Sequence, residues 1–435
     1  MLLNANPCES IFKEALQALT SDILAELGSD LGQPVASRLK VVRELQGQIR
    51  EKRLQEQGVL LLWVKLEDLL RPEQEIDTRH QVWDFLADML VGQQHALEMF
   101  RPQLFRYIKG HDVSEDLAQR VAVLGALTDT GKEIQHIEEQ IGVFLLHLLH
   151  LVSEADDEEA RAQVLALVSN MVRYNSAYLD QEVVAGLIVS LSCLATNSTK
   201  DQEILSCLDV LKSVVTYSYV PPEALFPFIS CTCQVVNLPS LSSEAWDTTR
   251  KLLGTHLGHS ALYNLCQIVQ SPEHRLYVKL VRGAVYFIGC ALWGPNRVPS
   301  LRYTAMSVLP FLISSLHSPH QPVLFEVAFQ VRELVVGQGE QLTAPEWEET
   351  VTLLQRMVSR IDRCEEVRAS VEEQLKATIG QMETLAMTER YTGSRTRLYE
   401  LIESVSTLCP EASVRRFLEP LNSLLKQFPI RCSTY

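Results

Sequence analysis

The sequence predicts an all-α fold, an α-solenoid of HEAT- or armadillo-like helix pairs, and three observations carry that expectation. Apolar residues recur at helical spacing: Val164, Leu167, Val168, Met171 and Val172 follow i, i+3, i+4, i+7, i+8, and Ile204, Cys207, Leu208, Leu211 and Val215 form a second stripe. Helix-start signals return at short intervals, so the helices begin often and stay short. No run alternates with period two over several residues, so a sheet is not required. Helices of about 15 to 20 residues on short links put successive pairs roughly 40 residues apart, the range of HEAT and armadillo repeats. A single bundle absorbs so many short helices poorly, whereas stacked pairs bury each against the next and grow without a central core.

Taken in order, the pattern predicts helices over 9–28, 35–54, 57–70, 75–92, 94–108 and 114–128. The last of these ends at Thr128-Asp129-Thr130-Gly131, where Gly131 is free to adopt positive φ. Helices follow at 133–152, 157–174 and 178–195, with Ser153 and the carboxylates of 154–159 opening the second of the three. Ser198 with Asp201 starts 201–216, and Pro221-Pro222-Glu223 starts 222–236. Helices 243–254 and 259–270 are separated by a joint containing Gly254 and Gly258. The series continues at 276–293, 300–316 and 321–337, then at 345–361 behind the capping box Thr343-Ala344-Pro345-Glu346. It closes with 363–387, 394–408 and 412–427.

Composition narrows the function. At 435 residues, with 46% hydrophobic and 21% charged, the chain exceeds one compact core and implies several domains or one extended array. A net charge of −15 disfavours general nucleic-acid binding, which needs clustered Lys and Arg, and favours a protein partner. Ten cysteines scattered without a C-x-x-C pair read as reduced cytosolic thiols. The start, Met1 to Pro7, lacks a basic segment and apolar core, so secretion is not expected. The most apolar runs, 142–152 and 283–293, fall short of the roughly 20 residues that span a bilayer. Cys432-Ser433-Thr434-Tyr435 places a cysteine as a prenylation signal would, but lacks the aliphatic pair.

Several segments resemble chemical motifs and are better explained structurally. His256 and His259, like His147 and His150, are spaced i, i+3, yet neither pair has the glutamate or cysteines of a zinc motif. The segment from Gly125 to Glu133 faintly evokes a phosphate loop, but its spacing is one residue too long, Glu133 replaces the hydroxyl, and no strand precedes it. The acidic run 154–159 reads as a solvated helix start. Arg38, Lys40, Arg43, Arg50, Lys52 and Arg53 alternate with acids and apolar residues and read as a solvated helix face. Trp63, Trp83, Trp246, Trp293 and Trp347 lie in apolar stripes and are expected in the core. No nucleophile elbow or Cys/His constellation appears. No catalytic, cofactor-binding or metal residue is therefore assigned, and the partner-contacting residues are not legible.

Two longer segments carry a family likeness: Lys251-Leu252-Leu253-Gly254-Thr255-His256-Leu257-Gly258-His259-Ser260-Ala261, and the run from Leu280 to Gly294. Shorter echoes are Ala126 to Asp129, Tyr174 to Asp180, Ser307 to Pro310, and Gly393-Ser394 before Tyr399-Glu400-Leu401. With these in order, the chain resembles the N-terminal HEAT-like region of the tuberin family, a subunit of the tuberous sclerosis complex. The resemblance implies a noncatalytic solenoid over 36–427 whose partner is hamartin, in a cytoplasmic complex that negatively regulates TOR signalling and is recruited to the lysosomal membrane. It implies that Rheb is engaged only through a C-terminal GTPase-activating domain, with a catalytic asparagine that no residue here can supply. Residues 1–35 form an N-terminal helical extension that matches nothing in the family. Residues 428–435 depart from it as a short tail, consistent with truncation or an alternative end. The competing readings are a HEAT adaptor that binds a helical or extended peptide of another partner, and a small-molecule or metal enzyme built on His256 and His259.

Overall fold

The computed structural model describes residues 21–408, except 29–31, 52, 55–56, 98–99, 155–156 and 362–365. Residues 9–20 of the expected helix 9–28, the expected helix 412–427, the tail 428–435 and its Cys432 motif lie outside the described residues. The described residues form α-helices and short 3-10 turns without a strand, as the missing two-residue alternation implied. The fold is an α-solenoid. It divides into two compact units, Met1–Ala224 and Leu225–Tyr435.

In the first unit the helices are α1 (Ser21–Leu27), α2 (Val35–Ile49), α3 (Gly58–Leu66), α4 (Ile76–Gly92), α5 (Arg101–Gly110), α6 (Leu117–Leu127), α7 (Glu138–Glu154), α8 (Glu158–Asn175), α9 (Gln181–Asn197) and α10 (Asp201–Tyr217). Helices α2, α4, α6, α8 and α10 pack side by side in one layer, while α1 against α3 and α7 against α9 contribute to the other. The two stripes counted in the sequence meet here. Val164, Val168, Met171 and Val172 of α8 and Ile204, Cys207, Leu208 and Leu211 of α10 are buried as these two helices pack together. Each such side chain contributes about 1.5–3 kcal/mol when fully withdrawn from water.

In the second unit the helices are α11 (Leu225–Val235), α12 (Ser242–Leu253), α13 (Gly258–Gln270), α14 (Val278–Leu292), α15 (Ala305–Ser315), α16 (Gln321–Gln338), α17 (Ala344–Ile361), α18 (Arg368–Met387) and α19 (Arg395–Leu408). One layer runs α11, α14, α16, α18 and the other α13, α15, α17, α19, with α12 against α11, α13 and α14. All five tryptophans are buried, as their apolar stripes implied.

The repeat announces itself as a hydrogen-bond offset. Gln81 donates to the Leu39 carbonyl and Arg161 to Glu203, each across 42 residues, and Ser318 donates to the Arg275 carbonyl across 43. Three carboxamides, two in the first unit and one in the second, share one task at helix ends. Gln93 Nε2 donates to the Ile49 carbonyl at 2.7 Å while its Oε1 accepts Leu54 N–H; Asn175 Nδ2 reaches the Gly131 carbonyl at 2.7 Å; Gln338 Nε2 reaches the Leu292 carbonyl at 3.1 Å. Ile49 and Leu292 are the last residues of α2 and α14, whose carbonyls have no partner within their own helix.

Several local expectations are corrected. Pro102 in its first turn starts α5 at Arg101, with only a 3-10 turn over Gln94–Ala96 where helix was expected from 94. Positive φ at Asp129, Thr130, Gly131 and His136 delays α7 to Glu138. Ser153 does not open α8: it lies within α7, donates to the His150 carbonyl, and leaves Asp157 to accept the N–H groups of Glu159 and Ala160. Thr343 and Glu346 form one half of the expected reciprocal cap: the Glu346 carboxylate accepts the Thr343 N–H at 2.9 Å, while the Thr343 hydroxyl donates to that same carboxylate at 2.8 Å.

The joint before α13 uses its glycines differently from a left-handed turn. Gly254 has φ −78°, and neither it nor Gly258 is among the positive-φ residues. Gly258 is needed for space: a Cβ there would stand 2.0 Å from the Leu253 carbonyl oxygen. Gly283 on α14 likewise lets that helix approach α11, since its Cβ would lie 2.0 Å from the Cys233 carbonyl oxygen. Gly380 on α18 faces open space. Gly283→Ala should therefore lower stability by about 1–3 kcal/mol through backbone displacement, whereas Gly380→Ala should be neutral or add up to about 1 kcal/mol through helix propensity. Urea unfolding of the two variants measures the contrast, and equal losses would refute close approach as the reason for Gly283.

Candidate partner-binding surfaces

The residues singled out as chemical candidates stand apart from one another or inside the packing. His147 and His150 are exposed on α7, with His147 near the Phe144 ring. His256 and His259 are also exposed, and the Thr255 hydroxyl, donating to the Leu252 carbonyl and accepting Leu257 N–H, ties the turn between α12 and α13. His259 reaches the next repeat instead: its Nε2 accepts Arg302 N–H at 3.4 Å and its ring lies 5.6 Å from that of Tyr303. Among the described residues no group of three or more His, Cys, Asp or Glu is placed to hold a metal. Burial pushes the Cys266 thiol up to about 12 and Cys290 up to about 11, the opposite of an activated nucleophile.

The basic cluster is only partly a solvated face. Arg38 is 3% exposed, with its guanidinium on both Asp68 oxygens at 2.8 and 2.6 Å and on the Leu27 and Lys65 carbonyls. It fastens α1 and α3 to α2, which a side-chain pattern with interspersed acids could not reveal. Arg43 donates to Gln81, Arg50 pairs with Asp88, and Arg53 is exposed; Lys52 lies outside the described residues.

The phosphate-loop echo is a helix end and turn. Thr128 Oγ1 donates to the Leu124 carbonyl and accepts Gly131 N–H, Gly131 adopts φ +91°, and the Thr130 and Gly131 carbonyls accept from Asn170 and Asn175. Its N–H groups are turned into the protein. Gly125 and Ala126, at the start of the same segment, have another use.

They line a groove of about 410 Å³ running over α4, α6 and α8. Ala87, Ala122, Gly125, Ala126 and Ala166 make it shallow-floored, Val91, Val121 and Leu167 make it apolar, and Arg50, Thr130, Gln163 and Asn170 supply polar groups. Val91 is 53% exposed. Small residues on three neighbouring helices let another backbone come close, and an apolar trough with a polar edge suits one face of an amphipathic helix. Small residues at exposed helix positions were the sequence signal; without the register between repeats they could not be assembled into one surface.

A second cavity, of about 370 Å³, lies in the other unit, where Arg282, Tyr286, Phe325, Glu326 and Phe329 meet. Arg282 bridges Glu326 at 3.2 Å and the Asn237 side-chain oxygen at 3.3 Å, while Gln330 donates to Glu326 at 2.9 Å. Burial raises the Glu326 carboxyl against the lowering effect of those two donors. The cation is already engaged, so the cavity has a satisfied wall.

A buried charge cluster in the first unit is structural. Asp116 is fully buried and accepts Arg79 Nε at 2.8 Å, His111 Nε2 at 2.7 Å and His80 Nε2 at 3.1 Å. Burial would raise its carboxyl, but the hydrogen bonds from Arg79 and His111 and their charges win and hold it below 3.8. Burial lowers His111 below 6.5 despite the Asp116 contact, with Arg120 and Arg79 nearby adding to the lowering. The edge of its ring meets Trp83 and it stacks on Tyr107. A neutral imidazole donating to a buried carboxylate fits that enclosure.

Two buried groups then tilt stability in opposite directions with pH. An unfolded histidine takes a proton near 6.5 and buried His111 only below it, so the folded chain loses stability as pH falls below about 6.5. Glu383 on α18 is pushed up to about 7 by burial, so its contribution is full below 4.5 and lost as pH rises through about 7. Urea titrations across this range should show His111→Gln flattening the acid side and Glu383→Gln the neutral side; unchanged slopes in both would refute the assignments.

A family model described as a domain of unknown function (DUF3384) matches residues 35–430. The tuberous sclerosis 2 protein homolog of Schizosaccharomyces pombe is 21% identical over 286 residues, covering 61% of this chain and 21% of that protein. The chain thus spans about a fifth of that relative's length. Among solved structures, the TSC2 N-terminus superposes with a TM-score of 0.75 at 21% identity, over 89% of this chain and 99% of the other. The Kap95:Nup1 complex superposes with a TM-score of 0.42 at 12% identity, over 93% and 54%.

Proposed function

This chain belongs to the DUF3384 family, and on that premise we propose that it is the noncatalytic, partner-binding scaffold of a tuberin-type regulator, with hamartin as its partner. The observation that carries this reading is the apolar groove over α4, α6 and α8, whose small floor residues leave room for a partner helix. The likeness to tuberin's N-terminal region in sequence and in fold supports the choice of partner. In this reading 36–427 is the binding body, 1–35 an extension and 428–435 a tail. The complex restrains TOR signalling from the cytoplasm and the lysosomal surface, and GTPase activation on Rheb resides in a separate C-terminal domain. No residue described here has a catalytic role in it.

The charge balance adds a kinetic expectation. A chain of net charge −15 attracts a basic stretch of its partner, so the association rate should fall as salt rises.

Co-purification with the hamartin coiled-coil region tests the partner, and Ala126→Arg with Ala166→Arg tests the place. Charged bulk in the groove should weaken capture about tenfold or more while thermal unfolding stays near that of the parent chain. Undiminished capture would move the partner off this groove, and no capture by the parent chain would remove hamartin. Rheb hydrolysis accelerated by this chain alone would overturn the noncatalytic assignment.

A further inference from the structure

The second unit holds the cavity of about 370 Å³ beside Arg282, and the hamartin reading makes no use of it. Three aromatic rings line it, Tyr286 on α14 with Phe325 and Phe329 on α16, and Val236 and Pro239 from the segment after α11 complete the apolar wall. The Arg332 guanidinium lies 5.1 Å from the centre of the Phe329 ring, and the Tyr286 hydroxyl is bonded to Cys290. Two of the three rings are therefore fixed before anything enters. Aromatic walls around a few placed polar groups, at this volume, are the composition of a small-ligand site.

The polar side of the cavity offers donors, while its one carboxylate is already bonded. Glu326 Oε1 accepts from Gln330 Nε2 and Oε2 from Arg282 Nε. Asn237 gives its Oδ1 to Arg282 Nη1 and directs its Nδ2 at the carbonyls of Cys233, Gln234 and Lys279. Arg282 Nη2 has no hydrogen-bond partner among the described residues, and the side chain is 37% exposed. Its two N–H groups lack an acceptor, and the guanidinium keeps its charge at any pH near neutral. Burial raises the Glu326 carboxyl, so it holds its own charge less firmly than an exposed acid. Within one turn of the lining residues the other charges balance, Lys279 and Arg332 against Glu244 and Glu333. Selectivity therefore rests on directed donors and not on a net field.

We infer that this cavity binds a monocarboxylate with an apolar body, its carboxylate on Arg282 Nη2 and its body among Tyr286, Phe325 and Phe329. A carboxylate answers a guanidinium N–H with a charge-assisted bond, which is about twice as strong as the bond a neutral carbonyl makes. The rings take an aromatic or aliphatic body, because a polar one would give up its water there without a partner. The carboxylate can arrive on a free small acid or at the C-terminus of a peptide that ends in an aromatic residue. Neither form requires hamartin.

Calorimetric titration of the full chain with phenylpropionate and with phenylpropionamide tests the carboxylate. The acid should saturate with a Kd of about 1 mM or lower, and the amide should bind about tenfold more weakly. Arg282→Lys keeps a cation beside Glu326 but lacks the planar fork, so it should also lose about tenfold. Ser242→Phe fills the cavity from the first residue of α12 and should abolish binding. Ser242 is half-buried, and thermal unfolding near that of the parent chain separates blockage from misfolding. An acetylated tripeptide ending in phenylalanine with a free carboxyl identifies the source: binding tighter than phenylpropionate supports a chain terminus, and weaker binding supports a free acid. Equal binding of acid and amide would overturn the proposal. So would undiminished binding by the Ser242→Phe chain, and so would a failure of both the acid and the tripeptide to saturate.

Discussion

Every helix end leaves backbone carbonyls without partners inside the helix, and stacking many short helices multiplies that cost. Much of this structure depends on how each unit answers it. Gln93 and Gln338 satisfy the terminal carbonyls of α2 and α14, and Asn175 performs the same service for the turn after α6. Each donor sits at or just beyond the end of its own helix, so a single carboxamide fixes both the length of the neighbouring helix and the register between repeats. Burial of Gln93 and Asn175 then turns these bonds into conditions for packing, because an unsatisfied amide there would carry its full desolvation cost. The apolar stripes provide the driving force, and the carboxamides decide where it comes to rest.

Helix periodicity made the class and nearly every described element legible from α2 to α19, because each stripe is set by neighbours within one turn or two. What escaped was set by contacts across a repeat. Arg38 looked like one more cation on a mixed helix, but Asp68 and two carbonyls from other segments turn it inward. Gly258 read as a conformational hinge and is a steric gap, a distinction that requires knowing where the Leu253 carbonyl stands. The groove over α4, α6 and α8 was the hardest to anticipate. Its floor comes from alanines and a glycine some 40 residues apart, and only the repeat offset brings Ala87, Ala126 and Ala166 onto one surface.

The same offset separates charge that stabilises from charge that is displayed. Asp116 gathers Arg79, His111 and His80 in the interior, where pairing and ring contacts leave little for a ligand to recognise. The turns before α14 and α16 instead hold their cations and imidazoles at the surface, using backbone carbonyls as anchors.

The carboxamide at Asn175 has one more consequence, for how such a chain can change its length. Its bond reaches one repeat and no further, so the array tolerates arithmetic in units of a whole helix pair. Gaining or losing a whole pair keeps the helical phase that aims such a donor at its neighbour. Deleting one residue within α8 would swing Asn175 by about 100° around the helix and strand both the amide and the carbonyls it serves. The molecule is thus written in words of roughly forty letters, and it can be edited by the word far more safely than by the letter.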